Sequence, residues 1–378
     1  MAKSPLAIYI HWPYCARICP YCDFNVYKGT RNDALVSAID QDLTYWRERT
    51  GTREIISIHF GGGTPSLLPA AHIGRLVDKV DKLWGLAAGT EVGLEANPAD
   101  TRRDYWKAIR SSGVNRISLG VQSFNDGALK FLGRDHDGAQ AIAAAGDIAS
   151  IFSNFSLDLI FGWAGQSAND WSQDLKIALS LKPAHLSTYQ LTIEPGTAFE
   201  RAEARGNEKA VHADQSADLY DQLRRRLTSS GFEHYEISNF AQRGHRSRHN
   251  LAYWQGHDYI GVGPGAHGRV TSGGQRIATT AKARPGNYIS SVQDQEPDPR
   301  DQELLSGEDW AAEYLMMGMR IQDGISIARF EELVGHSIPA APLNDLIAAD
   351  LIQKTKDKMT ATETGRPLLD HIIRKLLT

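Results

Sequence analysis

Residues 6–22 read LAIYIHWPYCARICPYC, an apolar run followed at once by three closely spaced cysteines. The run Leu6–His11 is rich in β-branched and aromatic residues, which is typical of a buried strand. Cys15, Cys19 and Cys22 follow it with the spacing C-x3-C-x2-C. Ligands of α/β folds gather at the carboxyl ends of parallel strands, so a loop in this position is well placed to hold a bound group. The segment therefore predicts an α/β fold with a thiolate site directly after its first strand.

The same strand pattern recurs along the first half of the chain, and segments with helical periodicity fill the intervals. The predicted strands are Leu6–His11, Ile55–Phe60, Glu91–Ala96, Arg116–Val121, Phe155–Phe161 and His185–Ile193. The predicted helices are Asn32–Arg49, Ala70–Leu83, Arg102–Ser111, Gly138–Ala149 and Ala168–Leu181. Repeated β/α units require right-handed crossovers and build a parallel sheet covered by helices. Because six units are too few for the closed eightfold barrel, the sequence predicts an open, partial (β/α)6 barrel.

The pattern changes after the sixth unit. A helix is predicted over Ala213–Ser229 and a strand over Glu233–Ser238. The glycine-rich stretch Gly256–Gly286 is expected to be irregular, because glycine weakens both helices and strands. These segments complete a first domain over residues 1–292.

A smaller domain is expected at the C-terminus. Residues 293–302 are polar and contain two prolines, which indicates a linker. Over residues 303–378 the predicted elements are helices at Asp309–Arg320, Ile327–Val334 and Leu343–Ala349, a short strand pair around Leu351–Thr362, and a last helix at Pro367–Leu377. This order resembles a small, mainly helical, winged-helix-like domain, and nothing in it has catalytic spacing.

Composition sets broad limits on function. The chain has 378 residues, a formal net charge of −4, 42% hydrophobic residues and 23% charged residues. These values are ordinary for a soluble globular protein, and the nearly neutral charge does not favour a nucleic-acid partner. No apolar run reaches the roughly 18 residues that a membrane-spanning helix needs, and the N-terminus lacks the pattern of a signal peptide. We therefore expect a cytoplasmic protein with no nucleic-acid partner and no transmembrane segment.

The spacing of the cysteines alone leaves three interpretations open. Thiolates are preferred ligands of Fe–S clusters and of zinc. Three thiolates can hold three irons of a [4Fe–4S] cluster and leave the fourth iron open to an external ligand. A structural zinc would recruit a fourth ligand, for which His11, His59 and Asp23 are candidates. Chance clustering of buried cysteines is the third interpretation.

The sequence around the cysteines resembles the start of the radical S-adenosylmethionine (SAM) enzymes. The matching residues are Tyr9-Ile10-His11-Trp12-Pro13-Tyr14-Cys15 and Tyr21-Cys22-Asp23-Phe24. The chain is most similar to the branch that contains the oxygen-independent coproporphyrinogen III oxidase HemN and its relative HemW, over nearly its whole length. The resemblance implies a [4Fe–4S] cluster on Cys15, Cys19 and Cys22, with SAM on the open iron. In that family an electron from the cluster cleaves SAM to methionine and a 5′-deoxyadenosyl radical.

Glycines and polar residues follow successive predicted strands, which indicates one convergent site. Gly61-Gly62-Gly63-Thr64-Pro65 follows the second strand and can offer backbone N–H groups to a close ligand. The resemblance implies that SAM is bound by Tyr9, Gly62, Gly63, Thr64, Glu95, Gln122, Arg134 and Asp158. Carboxylates suit the ribose hydroxyls and ammonium of SAM, and Arg134 suits its carboxylate. Where the family usually has Gly-Leu-Pro-x-Gln, this sequence reads Gly162-Trp163-Ala164-Gly165-Gln166, which is expected to reshape a pocket wall without removing a ligand.

Three features distinguish the chain from the oxidases of this branch. Those enzymes have a further cysteine two residues after the third, where this chain has Phe24. They also have a longer N-terminal extension before the first strand. In addition, the stretch His249-Asn250-Leu251-Ala252-Tyr253-Trp254 fits the pattern H-N-x-x-Y-W, which is typical of the HemW group. The resemblance therefore implies a haem chaperone rather than an oxidase.

A chaperone of this type would carry haem as cargo and deliver it to acceptor proteins, including respiratory haem proteins at the inner face of the membrane. Imidazole can ligate haem iron and aromatic rings can pack on a porphyrin, so His249 is the expected haem ligand, with His245, His257 and His267 as nearby alternatives. The alternative function is a coproporphyrinogen III dehydrogenase, which abstracts a hydrogen atom from a propionate side chain and releases CO2. A radical enzyme that modifies RNA is disfavoured, because the sequence has no recognisable RNA-binding appendage and no strong basic charge.

Overall fold

The structure, a computed structural model, describes residues 4–30, 32–100, 103–294 and 300–377. Its strands are β1 (Leu6–Trp12), β2 (Tyr14–Cys15), β3 (Tyr27–Lys28), β4 (Ile55–Gly62), β5 (Glu91–Ala96), β6 (Arg116–Gln122), β7 (Phe155–Phe161), β8 (His185–Gln190), β9 (Glu233–His234), β10 (Asn239–Ala241), β11 (Asp258–Val262), β12 (His267–Ser272), β13 (Gln275–Ala281), β14 (Arg300–Leu305), β15 (Ile325–Ser326), β16 (Ile352–Lys354) and β17 (Lys358–Ala361). Its helices are α1 (Asp33–Thr50), α2 (Ala70–Trp84), α3 (Arg103–Ser111), α4 (Asp126–Phe131), α5 (Gly138–Ala149), α6 (Ala168–Ser180), α7 (Ala198–Glu203), α8 (Ala213–Ser229), α9 (Arg248–Trp254), α10 (Pro285–Gln293), α11 (Gly307–Gly318), α12 (Ile327–Val334), α13 (Ala340–Ala348) and α14 (Leu369–Leu377).

The main sheet has twelve strands in the order β14-β13-β12-β11-β1-β4-β5-β6-β7-β8-β10-β9. The strands predicted to form the barrel, β1 and β4 to β8, are neighbours and pair in parallel throughout. Strand β11 adds a seventh parallel strand beside β1, and antiparallel strands extend both edges. The predicted α/β fold is confirmed, and in the described ranges no pairing joins β14 to β9.

Capping and apolar periodicity explain why the helices form and how they cover the sheet. Helix α1 begins where Asn32 Oδ1 accepts a hydrogen bond from the Leu35 N–H at 3.0 Å. The buried side chains of Leu35, Ile39 and Leu43 lie on one face and join the core beneath the sheet. No helix in the described ranges is both long enough and apolar enough to cross a membrane.

The glycine-rich stretch Gly256–Gly286 is not irregular, so that prediction was wrong. It contains β11, β12 and β13, which pair in antiparallel fashion. Gly273 and Gly274, with φ of 58° and 80°, form the two-residue turn between β12 and β13, and tight hairpins need positive φ at this point. Gly261 lies inside β11, where a Cβ would come 2.1 Å from the His267 carbonyl oxygen. These glycines therefore permit close strands. The predicted strand over 233–238 is confirmed only in its first part, as β9.

The C-terminal residues form a second hydrophobic core. Strands β15, β17 and β16 make a three-stranded sheet that shares this core with α11 to α14, which confirms the expected smaller, mainly helical unit. The Arg269 guanidinium pairs with the Glu313 carboxylate, with Nη2 and Oε1 2.8 Å apart. Arg276 lies over the Trp310 ring, 5.4 Å from its centroid. Helix α11 is thereby attached to the β12–β13 hairpin.

The predicted linker over 293–302 lies partly in regular structure. Residues 295–299 are outside the described residues. Helix α10 ends at Gln293, and β14 begins at Arg300 and pairs with β13 in the main sheet. The Arg300 guanidinium forms an ion pair with Asp42 of α1, and both side chains are 1% exposed. The chain therefore contributes one more strand to the large sheet before it enters the C-terminal unit.

Candidate functional site

A cavity of about 380 Å³ opens at the carboxyl ends of the parallel strands. Parallel β/α topology explains this placement, because the ends of all these strands meet at one rim. The predicted site residues in its wall are Cys15, Cys19, Cys22, Gly62, Gly63, Thr64, Glu95, Gln122, Arg134 and Asp158. Tyr9 and His249 are not in the wall. Their rings pack against His59, which in turn contacts Glu95.

The three cysteines lie on the loop that follows β1. Cys15 ends β2, and the Cys22 N–H closes a turn by donating to the Cys19 carbonyl oxygen at 3.2 Å. Thr64 Oγ1 lies 3.4 Å from Cys15 Sγ, and Arg134 Nη1 lies 3.3 Å from Cys19 Sγ. Burial raises the pKa of the Cys22 thiol to about 11, and the nearby Cys19 and Cys15 thiolates add to this rise. The three thiols therefore share one electrostatic environment.

The donor set fits a [4Fe–4S] cluster better than a structural zinc. Within the described ranges, no three His, Cys, Asp or Glu side chains converge on a single metal ion. A cluster does not require such convergence, because each thiolate binds a different iron. Two zinc candidates are engaged elsewhere. His11 Nε2 lies 3.0 Å from the Asn25 carbonyl oxygen, and His59 Nε2 lies 3.0 Å from Glu95 Oε1.

The glycine turn after β4 packs directly against the cysteine loop. Gly63 donates its N–H to the Trp12 carbonyl oxygen at 2.7 Å, and Thr64 donates its N–H to the Tyr14 carbonyl oxygen at 2.9 Å. A Cβ at Gly63 would come within 2.6 Å of that Tyr14 oxygen. Gly62 has a φ of 109°, which L side chains avoid. Glycine at both positions therefore lets the turn lie beside the cysteines.

Two of the carboxylates that line the cavity, Glu95 and Asp158, are predicted contacts of SAM. Glu95 Oε2 accepts a hydrogen bond from the Gly62 N–H at 3.2 Å, and Glu95 Oε1 lies 3.0 Å from His59 Nε2. Ser118 Oγ lies 2.8 Å from both carboxylate oxygens of Asp158. Burial raises the pKa of Asp158 to about 6, although the hydrogen bond from Ser118 opposes the rise. Both groups can accept hydrogen bonds from ribose hydroxyls or from an ammonium.

Arg134 offers an unsatisfied donor at the cavity wall. Its Nη2 donates to Asn97 Oδ1 at 2.7 Å and to the Gly120 carbonyl oxygen at 3.0 Å. Its Nε is buried and has no hydrogen-bond partner among the described residues. Guanidinium groups bind carboxylates through paired N–H donors, so this orphaned donor fits a site for an anionic group such as the carboxylate of SAM. When bound, the cluster and SAM supply the electron transfer and the radical chemistry, and the chain supplies orientation.

Gln122, at the end of β6, has a φ of 66°, a strained conformation for a residue other than glycine. Its side chain lines the cavity beside Arg134. The register of β6 against β7 shifts at this point. Strained residues in β-bulges are often found where a side chain is turned toward a ligand, so the geometry at Gln122 agrees with the predicted contact.

Further wall residues were not predicted. The rule used for the first strands finds those at or just beyond strand ends, which are Asn97, Tyr189, Gln190, Leu191, Thr192 and Glu194. It does not find Ser118 and Gly120 within β6, or Asp135 after helix α4. Strand β8 ends at Gln190 rather than at Ile193, and the residues after it form one side of the cavity.

Trp163 is not in the wall, and its ring packs against Phe131 with centroids 5.9 Å apart. The departure from the family pattern at Trp163 therefore lies outside the cavity.

His249 lies in helix α9, and it is only 2% exposed. Its Nδ1 lies 2.9 Å from Ser57 Oγ, and its Nε2 lies 2.8 Å from the Tyr253 hydroxyl. Burial holds its pKa well below the usual range, so the ring is neutral. Because both ring nitrogens are engaged, ligation of haem would require these hydrogen bonds to break. Ligation by His249 stays a prediction.

Side chains that are exposed enough to contact a large ligand lie away from His249. His267 is exposed at the start of β12, with Nδ1 3.2 Å from Thr280 Oγ1, whereas His245 and His257 are partly buried. Phe24 and Ile18 belong to the cavity wall and are 61% and 46% exposed. These two side chains give the mouth of the cavity an apolar surface.

Two family profiles match the chain. The radical SAM superfamily matches residues 9–178, and the HemN C-terminal domain matches residues 305–368. Heme chaperone HemW of Escherichia coli (strain K12) is 37% identical over 99% of this chain and 98% of its own length. Heme chaperone HemW of Bacillus subtilis (strain 168) is 33% identical over 98% of both chains. The mitochondrial radical S-adenosyl methionine domain-containing protein 1 of Mus musculus is 35% identical over 100% of this chain and 88% of its own.

A solved structure agrees with these sequence matches. The structure of coproporphyrinogen III oxidase (HemN) from Escherichia coli superposes with a TM-score of 0.82, covering 100% of this chain and 91% of that chain at 22% identity. At that identity the match shows the fold alone. The sequence identities to full-length HemW proteins show the family as well as the fold, because these matches extend over nearly the whole chain. The chain therefore belongs to the HemW proteins, within the HemN/HemW branch of the radical SAM superfamily.

Proposed function

We propose that this protein is a haem chaperone that binds a [4Fe–4S] cluster, SAM and haem and passes haem to acceptor proteins. The observation that supports the proposal most strongly is the match to proteins called heme chaperones over nearly the full length of the chain. In addition, one cavity contains all three cysteines together with most of the predicted SAM contacts. We propose the cytoplasm as its location, with respiratory acceptors reached at the inner face of the membrane.

In this proposal the chain orients SAM from several sides of one cavity. The three cysteines would hold the cluster and leave one iron open to SAM. Arg134 pairs with the SAM carboxylate through the donor that has no protein partner. Glu95 and Asp158 would accept hydrogen bonds from the amino and ribose groups of SAM. The glycine turn at 62–63 supports the methionine end, and glycine is needed there because a Cβ would collide with His11 or with the Tyr14 carbonyl oxygen.

We propose that haem covers the apolar mouth of the cavity. Phe24 and Ile18 are more exposed than most large apolar side chains of the chain, and burial of apolar surface contributes about 25 cal/mol per Å². Phe24 occupies the position at which the oxidases of this branch have a further cysteine. The mouth of this chain therefore offers an aromatic ring to the porphyrin face.

The test is a haem titration of protein whose cluster has been reconstituted without oxygen. We expect a shifted Soret band that saturates, followed by transfer of haem to apomyoglobin as a model acceptor. Phe24→Asp should weaken haem binding, and Phe24→Leu, which keeps an apolar side chain, serves as the matched control. Absence of a Soret shift in the wild type would overturn the proposal.

The second candidate function is a coproporphyrinogen III dehydrogenase. The observation in its favour is the shared fold with HemN over the whole chain. The same reconstituted sample, given coproporphyrinogen III, SAM and a reductant, distinguishes the two functions. We expect no protoporphyrinogen, and its formation together with 5′-deoxyadenosine would identify an enzyme.

A further inference from the structure

We propose that His249 is a positioning residue of the SAM site, which holds His59 against Glu95 and so fixes the orientation of that carboxylate. The inference rests on the proposed binding of SAM at Glu95. It assigns the histidine of the H-N-x-x-Y-W motif a task that does not require contact with haem.

Glu95 is held from two sides. Its Oε2 accepts from the backbone N–H of Gly62 at 3.2 Å, and its Oε1 lies 3.0 Å from His59 Nε2. The Glu95 side chain is 37% exposed, whereas that of His59 is 13% exposed. The carboxylate therefore faces the cavity while its histidine partner lies behind it. Of the two groups that fix Glu95, only His59 is a side chain that can rotate away.

The space behind His59 is filled by aromatic rings. The His59 and His249 rings stack with centroids 4.7 Å apart and planes 16° apart. The Tyr9 ring lies 6.4 Å from His59 and 6.2 Å from His249, close to parallel with both. A Cβ at Gly61 would come 2.8 Å from Tyr9 Cε2 and 2.9 Å from Glu95 Oε1. The packing therefore leaves His59 no room to turn while His249 is in place.

His249 is itself fixed by three contacts. Its ring nitrogens bond to the hydroxyls of Ser57 and Tyr253 at 2.9 and 2.8 Å. Its backbone N–H donates to Glu91 Oε1 at 3.0 Å. Glu91 and Glu95 lie four residues apart in β5, so they face the same side of the strand. Helix α9 is thereby attached to β5, the strand that carries Glu95.

The test compares two substitutions of the same residue in reconstituted full-length protein. His249→Ala removes the ring behind His59, whereas His249→Phe keeps a ring there but cannot bond to Ser57 or Tyr253. The SAM dissociation constant is read from the change in the spectrum of the reduced cluster on titration with SAM. We expect a rise of about 10-fold for His249→Ala and less than about 3-fold for His249→Phe. His212→Ala, at an exposed position before α8, is the matched control and should bind SAM as the wild type does.

A double-mutant cycle tests whether His249 acts through His59. His59→Ala should weaken SAM binding by a similar factor, and the double variant should be no weaker than either single one, because the two residues act in series. Haem titrations of His249→Ala and His249→Phe test the predicted ligation of haem separately from the positioning role. If the alanine variant assembles no cluster, His249→Ser, which also leaves the space behind His59 open, replaces it with the same expectation.

The outcomes separate this inference from the proposed function. A wild type that binds no SAM would defeat the proposed cofactor site itself. A wild type that binds SAM, with His249→Ala binding it equally well, would overturn the positioning role alone. Loss of the Soret shift in both the alanine and the phenylalanine variants, with SAM binding intact, would assign His249 to haem instead.

Discussion

The imidazole rings of His59 and His249 stack with centroids 4.7 Å apart, although the two residues are distant in sequence. His59 belongs to β4, the strand that ends in the glycine turn, and His249 belongs to the motif typical of HemW proteins. Through His59 Nε2 the stack reaches Glu95 in the cavity wall. The motif and the cavity wall are thus parts of one packed unit.

Each cysteine of the loop should be required for the cluster. Replacing Cys15, Cys19 or Cys22 by serine removes a thiolate for which a hydroxyl is a poor substitute, since Fe–S clusters are held by soft ligands. We expect each variant to lose the visible absorption of the cluster and most of the about four irons per chain. Phe24→Ser, two residues after Cys22, is the matched control and should keep its iron. Full iron content in any one of the cysteine variants would contradict the assignment.

Asp158 should make the cluster-free protein less stable as the pH rises. Burial raises its pKa to about 6, from an ordinary value of 3.8. A carboxyl group with a raised pKa stabilises the fold below its unfolded pKa and loses that contribution as the pH rises through the folded pKa. The shift corresponds to about 3 kcal/mol.

Urea unfolding of the wild type and of Asp158→Asn at matched ionic strength measures this effect. The amide does not titrate, so only the wild type loses stability as the pH rises. From about pH 4 to about pH 7, the free energy of unfolding of the wild type should fall by about 3 kcal/mol relative to that of the variant. A difference between the two proteins that stays constant over this range would contradict the raised pKa.

Gln122 should contribute to SAM binding even though its own backbone conformation is strained. At a φ of 66°, glycine relieves strain of about 1 kcal/mol but loses about as much to chain entropy, so Gln122→Gly should leave the free energy of unfolding nearly unchanged. Gln122→Ala keeps both the strain and the lower chain entropy of the wild type, so its free energy of unfolding should also stay close to the wild-type value. Both should bind SAM about 10-fold more weakly, as measured by titration. Wild-type affinity in both variants would remove Gln122 from the site.

The buried pair Asp42–Arg300 should be essential to the attachment of β14. Both side chains are 1% exposed, and the Tyr288 hydroxyl also donates to Asp42 Oδ2 at 2.6 Å. Arg300→Ala leaves a buried carboxylate without its guanidinium, so we expect a loss of about 3–5 kcal/mol in the free energy of unfolding. The double variant Asp42→Asn/Arg300→Met should recover most of it.

A surface ion pair provides the control for that measurement. Arg75 and Asp40 lie 3.1 Å apart, but the Arg75 side chain is 47% exposed. Arg75→Ala should therefore cost less than about 1 kcal/mol, because solvent screens exposed pairs. Equal losses of unfolding free energy in Arg75→Ala and Arg300→Ala would show that the buried Asp42–Arg300 pair stabilises the fold no more than the exposed pair does.

The sequence was sufficient to predict the features that depend on local pattern. Strands β5 and β7 have the predicted bounds because fully buried parallel strands are short apolar runs with clear ends. Part of the cavity wall was predictable as well, since Glu95 and Gln122 lie at or near strand ends that must meet at one rim, whereas Asp158 lies in the middle of β7.

Features that depend on distant partners were not predictable in this way. The environment of His249 is set by Ser57 and His59, which only the packing of α9 behind β4 brings near. The strands within Gly256–Gly286 were missed because glycine is permissive, and only close neighbours such as the carbonyl of His267 show why it is needed.

The measurement that most directly tests the central claim is haem transfer from the reconstituted protein, followed in the same sample by assays for 5′-deoxyadenosine and protoporphyrinogen. A haem chaperone predicts a saturable Soret shift, movement of haem to an apo-acceptor and no conversion of coproporphyrinogen III. No Soret shift, together with SAM-dependent formation of protoporphyrinogen, would contradict that account and identify the chain as an enzyme.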